Sequence, residues 1–233
     1  MRGRIRLVTA NLFNGRADAA AFARLVERLE ADVVAVQEVT RAQADALGRA
    51  LPFGKLEPAA NHMGMGIALR YPASVSRLPL PRRGAFVAEL VGPGWPEAPG
   101  AVEIVNIHIV APHLPPPWRT LAQRHGQLRA LEAYLDAAPR RPRALVGDLN
   151  ATPLWPVYRR LAARFADAAR LAARQDGGRA GRTWGPWAAG PRLLRIDHVL
   201  VAGLAVGSAQ VTPIAGSDHS ALVVDLALPE TSA

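Results

Sequence analysis

Cysteine is absent from this chain of 233 residues. Its absence excludes a disulfide framework, a thiolate metal site and a thiol nucleophile, so a bound metal must use oxygen or imidazole ligands. Ligands of that kind favour Mg²⁺ or Mn²⁺ over structural zinc. The residues to look for are therefore carboxylates, side-chain amides and histidines.

Long apolar runs are also absent. No segment approaches the roughly 20 apolar residues that a membrane helix needs, and the N-terminal residues pass directly into a strand-like pattern without the apolar stretch of a signal peptide. We therefore expect a cytoplasmic protein with no membrane span. The length suits one large α/β unit, and we expect a single domain over residues 1–233.

Lysine is almost missing, since Lys55 is the only lysine among 28 basic residues. The formal net charge is +9 and the pI is about 11.3. A basic surface favours a polyanionic partner or substrate such as nucleic acid. The abundance of arginine, alanine, proline and glycine is equally typical of a broad composition bias, so both interpretations stay open.

Apolar periodicity predicts more strands than helices. In the long helix at 118–137, we expect Leu121, Leu128 and Leu131 on the apolar face and Arg124 off it. Two β-sheets packed together with helices outside would fit this α/β pattern, of the α+β type. The predicted strands are 5–10, 33–36, 66–70, 85–91, 102–109, 144–146, 194–201, 205–212 and 221–228, and the predicted helices are 18–29 (capped by Asp18), 43–51, 118–137 and 157–164.

Polar side chains gather where the predicted strands end, the position at which loops on a rigid scaffold commonly build active sites. Two Asp-His doublets, at 197–198 and 218–219, belong to this set. In chain order the strand-end motifs are Thr9-Ala10-Asn11, Val36-Gln37-Glu38, Asn106-Ile107-His108, Gly147-Asp148-Leu149-Asn150, Arg195-Ile196-Asp197 and Ser217-Asp218-His219.

The ordered series of six motifs resembles the endonuclease/exonuclease/phosphatase superfamily, which includes DNase I-like nucleases, sphingomyelinases and inositol polyphosphate phosphatases. The resemblance extends from Leu7 to Leu226 and includes the glycine-containing strand around Gly66. It implies a four-layer α/β/β/α sandwich of two mainly antiparallel sheets with outer helices. It also implies a metal-dependent phosphoric ester hydrolase.

Phosphodiester hydrolysis needs a cation, a positioned water, a base and donors to the phosphate oxygens. Glu38 is the leading metal ligand, with Asn11 as an oxygen ligand beside it, and both suit Mg²⁺ or Mn²⁺. Asp218 could also reach the metal. Because adjacent strand residues point to opposite faces, that role requires a turn or bulge at 217–219.

We expect His219 to be the general base and Asp197 to orient its ring and stabilise the imidazolium. Asp148 is expected to orient the attacking water, and Asn150 to donate to the phosphate. The resemblance adds His108 as a donor to a nonbridging phosphate oxygen.

Other candidates have plainer alternatives. We interpret His198 as structural, and the loop histidines His62 and His113 could touch substrate but are of a kind usually just solvated. Arg182, Thr183 and Trp184 lie in a loop rich in arginine and tryptophan. They are candidate substrate-binding residues, whereas the alternative is that Trp184 and Trp187 only pack this loop against the body of the protein.

Three functions are compatible with this sequence. The first is a nuclease that hydrolyses DNA or RNA by in-line attack of water. The second is a phospholipid or small-molecule phosphoesterase, for which the positive charge would reflect composition alone. The third is a catalytically silent nucleic-acid-binding protein on the same scaffold, although a binding surface has no need for both a base and its orienting acid.

Overall fold

The structure, a computed structural model, describes residues 3–96, 101–113 and 116–229. A short 3₁₀ helix, Phe13–Gly15, follows the first strand. The helices are α1 (Ala19–Arg28), α2 (Arg41–Ala50), α3 (Pro117–Ala137), α4 (Pro156–Ala162) and α5 (Ala168–Gln175). The strands are β1 (Arg4–Asn11), β2 (Val33–Gln37), β3 (Phe53–Glu57), β4 (Met65–Leu69), β5 (Ser74–Leu78), β6 (Ala85–Leu90), β7 (Val102–His108), β8 (Arg143–Asp148), β9 (Ala166–Asp167), β10 (Asp197–Ala202), β11 (Ala205–Pro213) and β12 (Ser220–Ala227).

Two six-stranded sheets form the centre of the fold. The first has the order β11-β12-β1-β2-β4-β3 and the second β5-β6-β7-β8-β10-β9. Side chains alternate along β1: Ile5 and Leu7 pack between the sheets, whereas Val8 and Ala10 pack against α1 and α2. Helices α3 and α4 cover the outer face of the second sheet. The predicted four-layer α/β/β/α sandwich is confirmed.

Each sheet contains one parallel pair among otherwise antiparallel strands. The pair β1 and β2 is connected through α1, and the pair β7 and β8 through α3. A crossover connection brings the carboxyl ends of two parallel strands to the same edge of their sheet. The carboxyl ends of β1, β2, β7 and β8 carry the polar motifs, so this topology positions the candidate site.

A buried amide pair connects the two sheets near that edge. Gln37 Nε2 donates to Asn106 Oδ1 at 2.7 Å, and Asn106 Nδ2 donates to the carbonyls of Val36 and Gly66 at 3.0 and 2.8 Å. These bonds tie β7 to β2 and β4 across the interface between the sheets. They hold together the strand ends that carry Glu38 and His108.

Strands β3, β5 and β9, helix α5 and the 3₁₀ helix were not predicted. Strands β3 and β5 are largely exposed edge strands, so their sequences lack the apolar alternation that indicates a half-buried strand. Helix α5 is short and alanine-rich, and Asp167 caps it by accepting a hydrogen bond from Arg170 N at 3.2 Å. The capping of α1 by Asp18 is as predicted, with an Oδ1 to Ala21 N distance of 2.7 Å.

The face predicted for α3 is wrong in its first two turns. Leu121 is 53 % exposed, whereas Arg124 is only 3 % exposed. The guanidinium of Arg124 donates to the carbonyls of Val110 and Asn150, which lie in the loops after β7 and β8. These buried carbonyls require hydrogen-bond donors, and the guanidinium of Arg124 supplies them, so this face of the helix points inwards. No helix in the described part of the chain is long and apolar enough to cross a membrane.

Candidate functional site

The candidate site lies at one end of both sheets. Asn11, His108 and Asp148 are the last residues of β1, β7 and β8, and Glu38 directly follows β2. Close packing at this point requires Gly147, which has a φ of +127°, because a Cβ there would lie 2.0 Å from the carbonyl oxygen of Ile107. Asp148, the next residue, is thereby brought beside β7.

The two Asp-His doublets enter the site from different directions. Asp197 begins β10 and pairs in register with Asp148, whereas Asp218 and His219 precede β12. Ser217 Oγ donates to Asn11 O at 2.8 Å and accepts from His219 N at 3.1 Å, which fixes a turn before the strand. This turn is the feature that lets both Asp218 and His219 face the site, as their predicted roles require.

His219 and Asp197 form the shortest ion pair of the site. His219 Nδ1 donates to Asp197 Oδ2 at 2.9 Å, and both side chains are buried. Burial on its own would lower the pKa of His219, but Asp197, Asp148 and Asp218 together raise the pKa to about 9. The predicted partnership between these residues of different doublets is present in the structure.

Asp148 is at the centre of the site. Its Oδ2 accepts from Asn11 Nδ2 at 3.1 Å and lies 3.5 Å from His108 Nε2 and 3.9 Å from His219 Nε2. Its Oδ1 accepts from the backbone N–H of Asn150 at 2.7 Å. Burial and the charge of Asp197 raise the pKa of Asp148, and His219 opposes that rise. Asp148 is therefore placed to hold a polar ligand between two imidazoles.

Glu38 lies on the other side of His108. It adopts a φ of 57°, which is uncommon outside glycine and is typical of functional sites where the surrounding structure imposes it. Glu38 Oε1 is 3.8 Å from His108 Nε2. Burial raises the pKa of Glu38, while a hydrogen bond from Asn11 and the charge of Arg83 lower it in part. Burial also holds the pKa of His108 well below its ordinary value, so this imidazole is neutral.

Asp218 has one satisfied and one free carboxylate oxygen. Trp184 Nε1 donates to Asp218 Oδ2 at 3.0 Å, whereas Oδ1 is buried, has no hydrogen-bond partner among the described residues and lies 3.9 Å from His219 Nε2. A buried carboxylate oxygen without a donor is costly unless a cation or ligand binds it. Glu38 and Asn11 line the same pocket, and Asn11 Oδ1 accepts from Phe13 N at 3.0 Å. The oxygens of these three side chains are of the hard type that divalent cations prefer.

A second set of ligand atoms is close enough to hold a metal ion. Asp148, Asp197 and His219 each offer one such atom, and these atoms lie within 4.8 Å of one another. However, His219 Nδ1 and Asp197 Oδ2 already bond to each other. That bond suits proton transfer better than metal binding, so we regard Glu38, Asn11 and Asp218 as the better cation ligands.

These side chains line a pocket of about 490 Å³. Its wall combines carboxylates and histidines with apolar groups, and Arg83 is the sole arginine or lysine that lines it among the described residues. The lining residues are Asn11, Phe13, Glu38, His62, Arg83, His108, Ala111, Pro112, His113, Asp148, Asn150, Thr152, Trp155, Trp184, Leu194, Ile196, Asp218 and His219.

Arg83 was not found by sequence reasoning. It lies in the turn between β5 and β6, is 5 % exposed, and its Nη1 has no hydrogen-bond partner in the described structure. Burial lowers the pKa of Arg83, and the charges of Glu38 and Asp148 partly offset this. Adjacent Arg82 is exposed. Nothing in the sequence distinguishes the two arginines, because burial of one of them depends on how the turn packs.

The proposed substrate loop contributes one of its three candidates to the pocket. Trp184 lines it, and a bridge to His219 and Leu194 holds it there. Thr183 is fully buried, and its hydroxyl accepts from the backbone N–H groups of Ile196 and Asp197. Arg182 is exposed and outside the pocket lining. The loop histidines His62 and His113, in contrast, both line it.

A family model confirms what the six motifs indicated. The model described as the endonuclease/exonuclease/phosphatase family matches residues 8–219, which include every strand-end motif. The chain belongs to the endonuclease/exonuclease/phosphatase family. A comparison with curated proteins gives no match.

Solved structures of other proteins share the fold. An endonuclease/exonuclease/phosphatase from Beutenbergia cavernae DSM 12333 is 22 % identical with a TM-score of 0.75, covering 97 % of this chain and 72 % of that one. The human Nocturnin catalytic domain with a bound sulfate anion is 19 % identical with a TM-score of 0.70, covering 97 % and 94 %. A mannosyl-6-phosphatase of Bacteroides thetaiotaomicron VPI-5482 is 14 % identical with a TM-score of 0.68, covering 96 % and 100 %.

Proposed function

We propose that this member of the endonuclease/exonuclease/phosphatase family is a divalent-metal-dependent phosphodiesterase that hydrolyses DNA or RNA by in-line attack of water. The observation that carries the proposal is the hydrogen-bonded pair of His219 and Asp197, whose free imidazole nitrogen faces Asp148 at 3.9 Å inside a pocket. A base, its orienting acid and a water-positioning carboxylate are the groups that hydrolysis requires.

Glu38, Asn11 and Asp218 would hold the cation, and their oxygens suit Mg²⁺ or Mn²⁺. When bound, the cation would offset the phosphate charge and disfavour the imidazolium form of His219. The protein itself supplies the remaining groups. Its family relatives are phosphoric ester hydrolases, which supports the reaction class but not a particular substrate.

His219 would take the proton from the attacking water through Nε2. Asp197 holds the ring through Nδ1 and stabilises the charge that the ring acquires on accepting the proton, as in other carboxylate and imidazole pairs. Asp148 would hold the water, since its Oδ2 lies between His108 and His219. In-line displacement places the leaving oxygen on the side of the phosphorus opposite the attacking water, so solvent rather than His219 would protonate it.

Neutral His108, Asn150 and Arg83 are the candidate donors to the phosphate oxygens. Asn150 Nδ2 donates to Ile109 O at 3.0 Å and to Asp148 Oδ2 at 3.2 Å, so contact with a phosphate requires it to exchange one of these bonds. Arg83 needs no such exchange at Nη1, which has no partner among the described residues. The positive charge of Arg83 would attract the anionic substrate and stabilise the negative charge that develops on the phosphate during reaction.

A nucleic-acid substrate is supported by the net charge of +9 and by tryptophans in the pocket wall. A small phosphoester is the second candidate. The pocket of about 490 Å³ is small, and one structural relative is named as a mannosyl-6-phosphatase. Salt separates the two candidates, because nucleic-acid binding weakens steeply with added salt and turnover of a small substrate does not.

The test is hydrolysis of single-stranded and plasmid DNA, RNA, a phospholipid and phosphomonoesters with Mg²⁺ or Mn²⁺ at two salt concentrations. We expect nucleic-acid cleavage that stops on chelation and in Asp148→Ala and His219→Ala proteins, with circular dichroism confirming that each variant is folded. Hydrolysis that is unchanged in the His219→Ala protein contradicts the mechanism. Tight nucleic-acid binding without any hydrolysis would indicate a silent binding protein instead.

A further inference from the structure

Trp155 forms part of the pocket wall but has no place in the chemistry described above. It is 38 % exposed and lines the pocket together with Asn150 and Thr152 of the same loop. Its backbone is fixed at both ends, since its N–H donates to Thr152 O and its carbonyl accepts from Arg159 N, both at 3.0 Å. The backbone that carries the indole is therefore fixed before any ligand arrives.

The guanidinium of Arg124 supports one side of this indole. Its Cζ lies 5.7 Å from the centroid of the Trp155 ring, within the range of a cation–π contact. Arg124 is buried and donates to the carbonyls of Val110 and Asn150. Burial lowers the pKa of Arg124 to about 10, so the guanidinium remains charged at neutral pH. Arg124 thus connects the loop that carries both Asn150 and Trp155 to the loop after β7.

The other tryptophans near the site are arranged differently. Trp184 also lines the pocket, but its Nε1 is engaged with Asp218. Trp187 is 65 % exposed and is not part of the pocket lining. Trp155 is therefore the pocket tryptophan that combines a supported ring with a large exposed area and has no side-chain hydrogen bond among those described.

We propose that Trp155 is a stacking platform for the base of a nucleotide adjacent to the scissile phosphate. The inference rests on the proposed nuclease function and narrows its substrate class to single-stranded or strand-terminal nucleic acid. A base inside a duplex is stacked on both faces by its neighbours, whereas an unpaired base has a face to offer to an aromatic side chain. A flat ring backed by a cation selects a flat π system over an aliphatic chain.

The test compares Trp155→Leu, which stays apolar but loses the flat ring, with Trp155→Tyr, which keeps a ring, and with Trp187→Leu as the matched control. The substrates are a single-stranded oligodeoxyadenylate, an abasic oligomer of the same length and the corresponding duplex. Removal of one base stack corresponds to a loss of about tenfold to a hundredfold in kcat/KM. We expect that loss for oligodeoxyadenylate in Trp155→Leu, mainly in KM because stacking is present before and during the reaction.

The preference for the base-bearing and single-stranded substrates should disappear in Trp155→Leu and be largely retained in Trp155→Tyr and Trp187→Leu. An unchanged preference in Trp155→Leu overturns the proposal while leaving the phosphodiesterase function intact. Faster hydrolysis of dihexanoylphosphatidylcholine than of oligodeoxyadenylate also overturns it, because the wall would then serve an aliphatic group.

A binding measurement makes the test independent of catalysis. Adenosine 5′-monophosphate, titrated in the presence of chelator, should quench the tryptophan fluorescence of the wild type and of Trp187→Leu but not that of Trp155→Leu. If no phosphoester is hydrolysed under any condition, the proposed function fails, and this quenching still decides the inference. Quenching that persists in Trp155→Leu, or is absent from the wild type, overturns the stacking platform.

Discussion

Two buried polar clusters lie on either side of the start of β10, and they differ in how completely their groups are paired. The closed cluster consists of Tyr158, Asp167, Arg195 and His198. Asp167 Oδ2 accepts from Tyr158 Oη and from Arg195 Nη1, both at 2.6 Å, and His198 Nε2 donates to Ala151 O at 2.8 Å. No buried side-chain atom of this cluster lacks a partner in the described part of the chain.

The site cluster, formed by Glu38, Arg83, His108, Asp148, Asp197, Asp218 and His219, is incomplete. Its buried atoms without a partner among the described residues are Arg83 Nη1, His108 Nδ1, Asp197 Oδ1 and Asp218 Oδ1. Unpaired buried groups cost stability, so their concentration at one place indicates that a ligand completes them. We therefore expect the closed cluster to stabilise the fold and the site cluster to bind a ligand.

The histidines of the two doublets differ in the same way, and the difference is seen in their pKa values. Burial and the adjacent Arg195 lower the pKa of His198 to about 4, whereas carboxylates raise the pKa of His219 to about 9 despite its burial. Identical dipeptides thus carry a ring that is neutral at neutral pH and a ring that holds a proton there. The neighbours in space, not the neighbours in sequence, decide which histidine can exchange protons.

The largest effect on kcat should come from replacing the histidine of the second doublet, and the matched control is replacement of the histidine of the first. His219→Ala removes the proposed base and should lower kcat by between about 10² and 10⁴-fold. His198→Phe preserves an aromatic ring next to Tyr158 and should leave kcat close to that of the wild type. Steady-state kinetics on the best substrate of the panel measures both. Similar losses in the two variants would show that the distinction between the clusters is wrong.

The different roles of the two Asp-His doublets were predictable from the sequence, because the six motifs follow one another in the order that the family resemblance requires. Their order placed Asp197 with His219, and the structure brings these residues to 2.9 Å. The positions of Arg83 and Arg124 were not predictable. An arginine is most often exposed, and its burial depends on carbonyls and carboxylates contributed by distant loops, which no local pattern encodes. Exposed edge strands such as β3 were not predicted for a related reason: their side chains contact little apolar surface, so their sequences carry no apolar pattern.

The second effect concerns stability and tests the closed cluster. Asp167→Asn removes the carboxylate that pairs with Arg195 and leaves a buried guanidinium without its counter-ion. Breaking a buried ion pair in this way costs about 3 to 5 kcal/mol. Urea denaturation should show a correspondingly lower free energy of unfolding, while kcat at a temperature where the variant is folded should change little. A stable but inactive Asp167→Asn protein would instead place this cluster in the catalytic machinery.

The third prediction contrasts adjacent arginines. Arg83→Ala should lower kcat/KM by about 10²-fold, because one donor to the reacting phosphate is lost. Its exposed neighbour provides the control, and Arg82→Ala should have little effect on kcat/KM. Binding of inorganic phosphate, followed by calorimetry, should weaken only in Arg83→Ala. Equal weakening in both variants would mean that general surface charge, rather than the unpaired Nη1 of Arg83, attracts the phosphate.

The smallest effect is a pH dependence that the closed cluster imposes on stability. The unfolded state holds a His198 proton below an ordinary pKa of about 6.5, whereas the folded state excludes that proton until about pH 4. Between these values the unfolded state binds more protons, so stability is complete above the unfolded pKa and falls as the pH decreases. This residue alone should cost about 2 kcal/mol between pH 7 and pH 5. Denaturation of His198→Phe over the same range isolates the contribution, because the other titrating groups are common to both proteins. Parallel pH profiles for the variant and the wild type would show that folding does not change the pKa of His198.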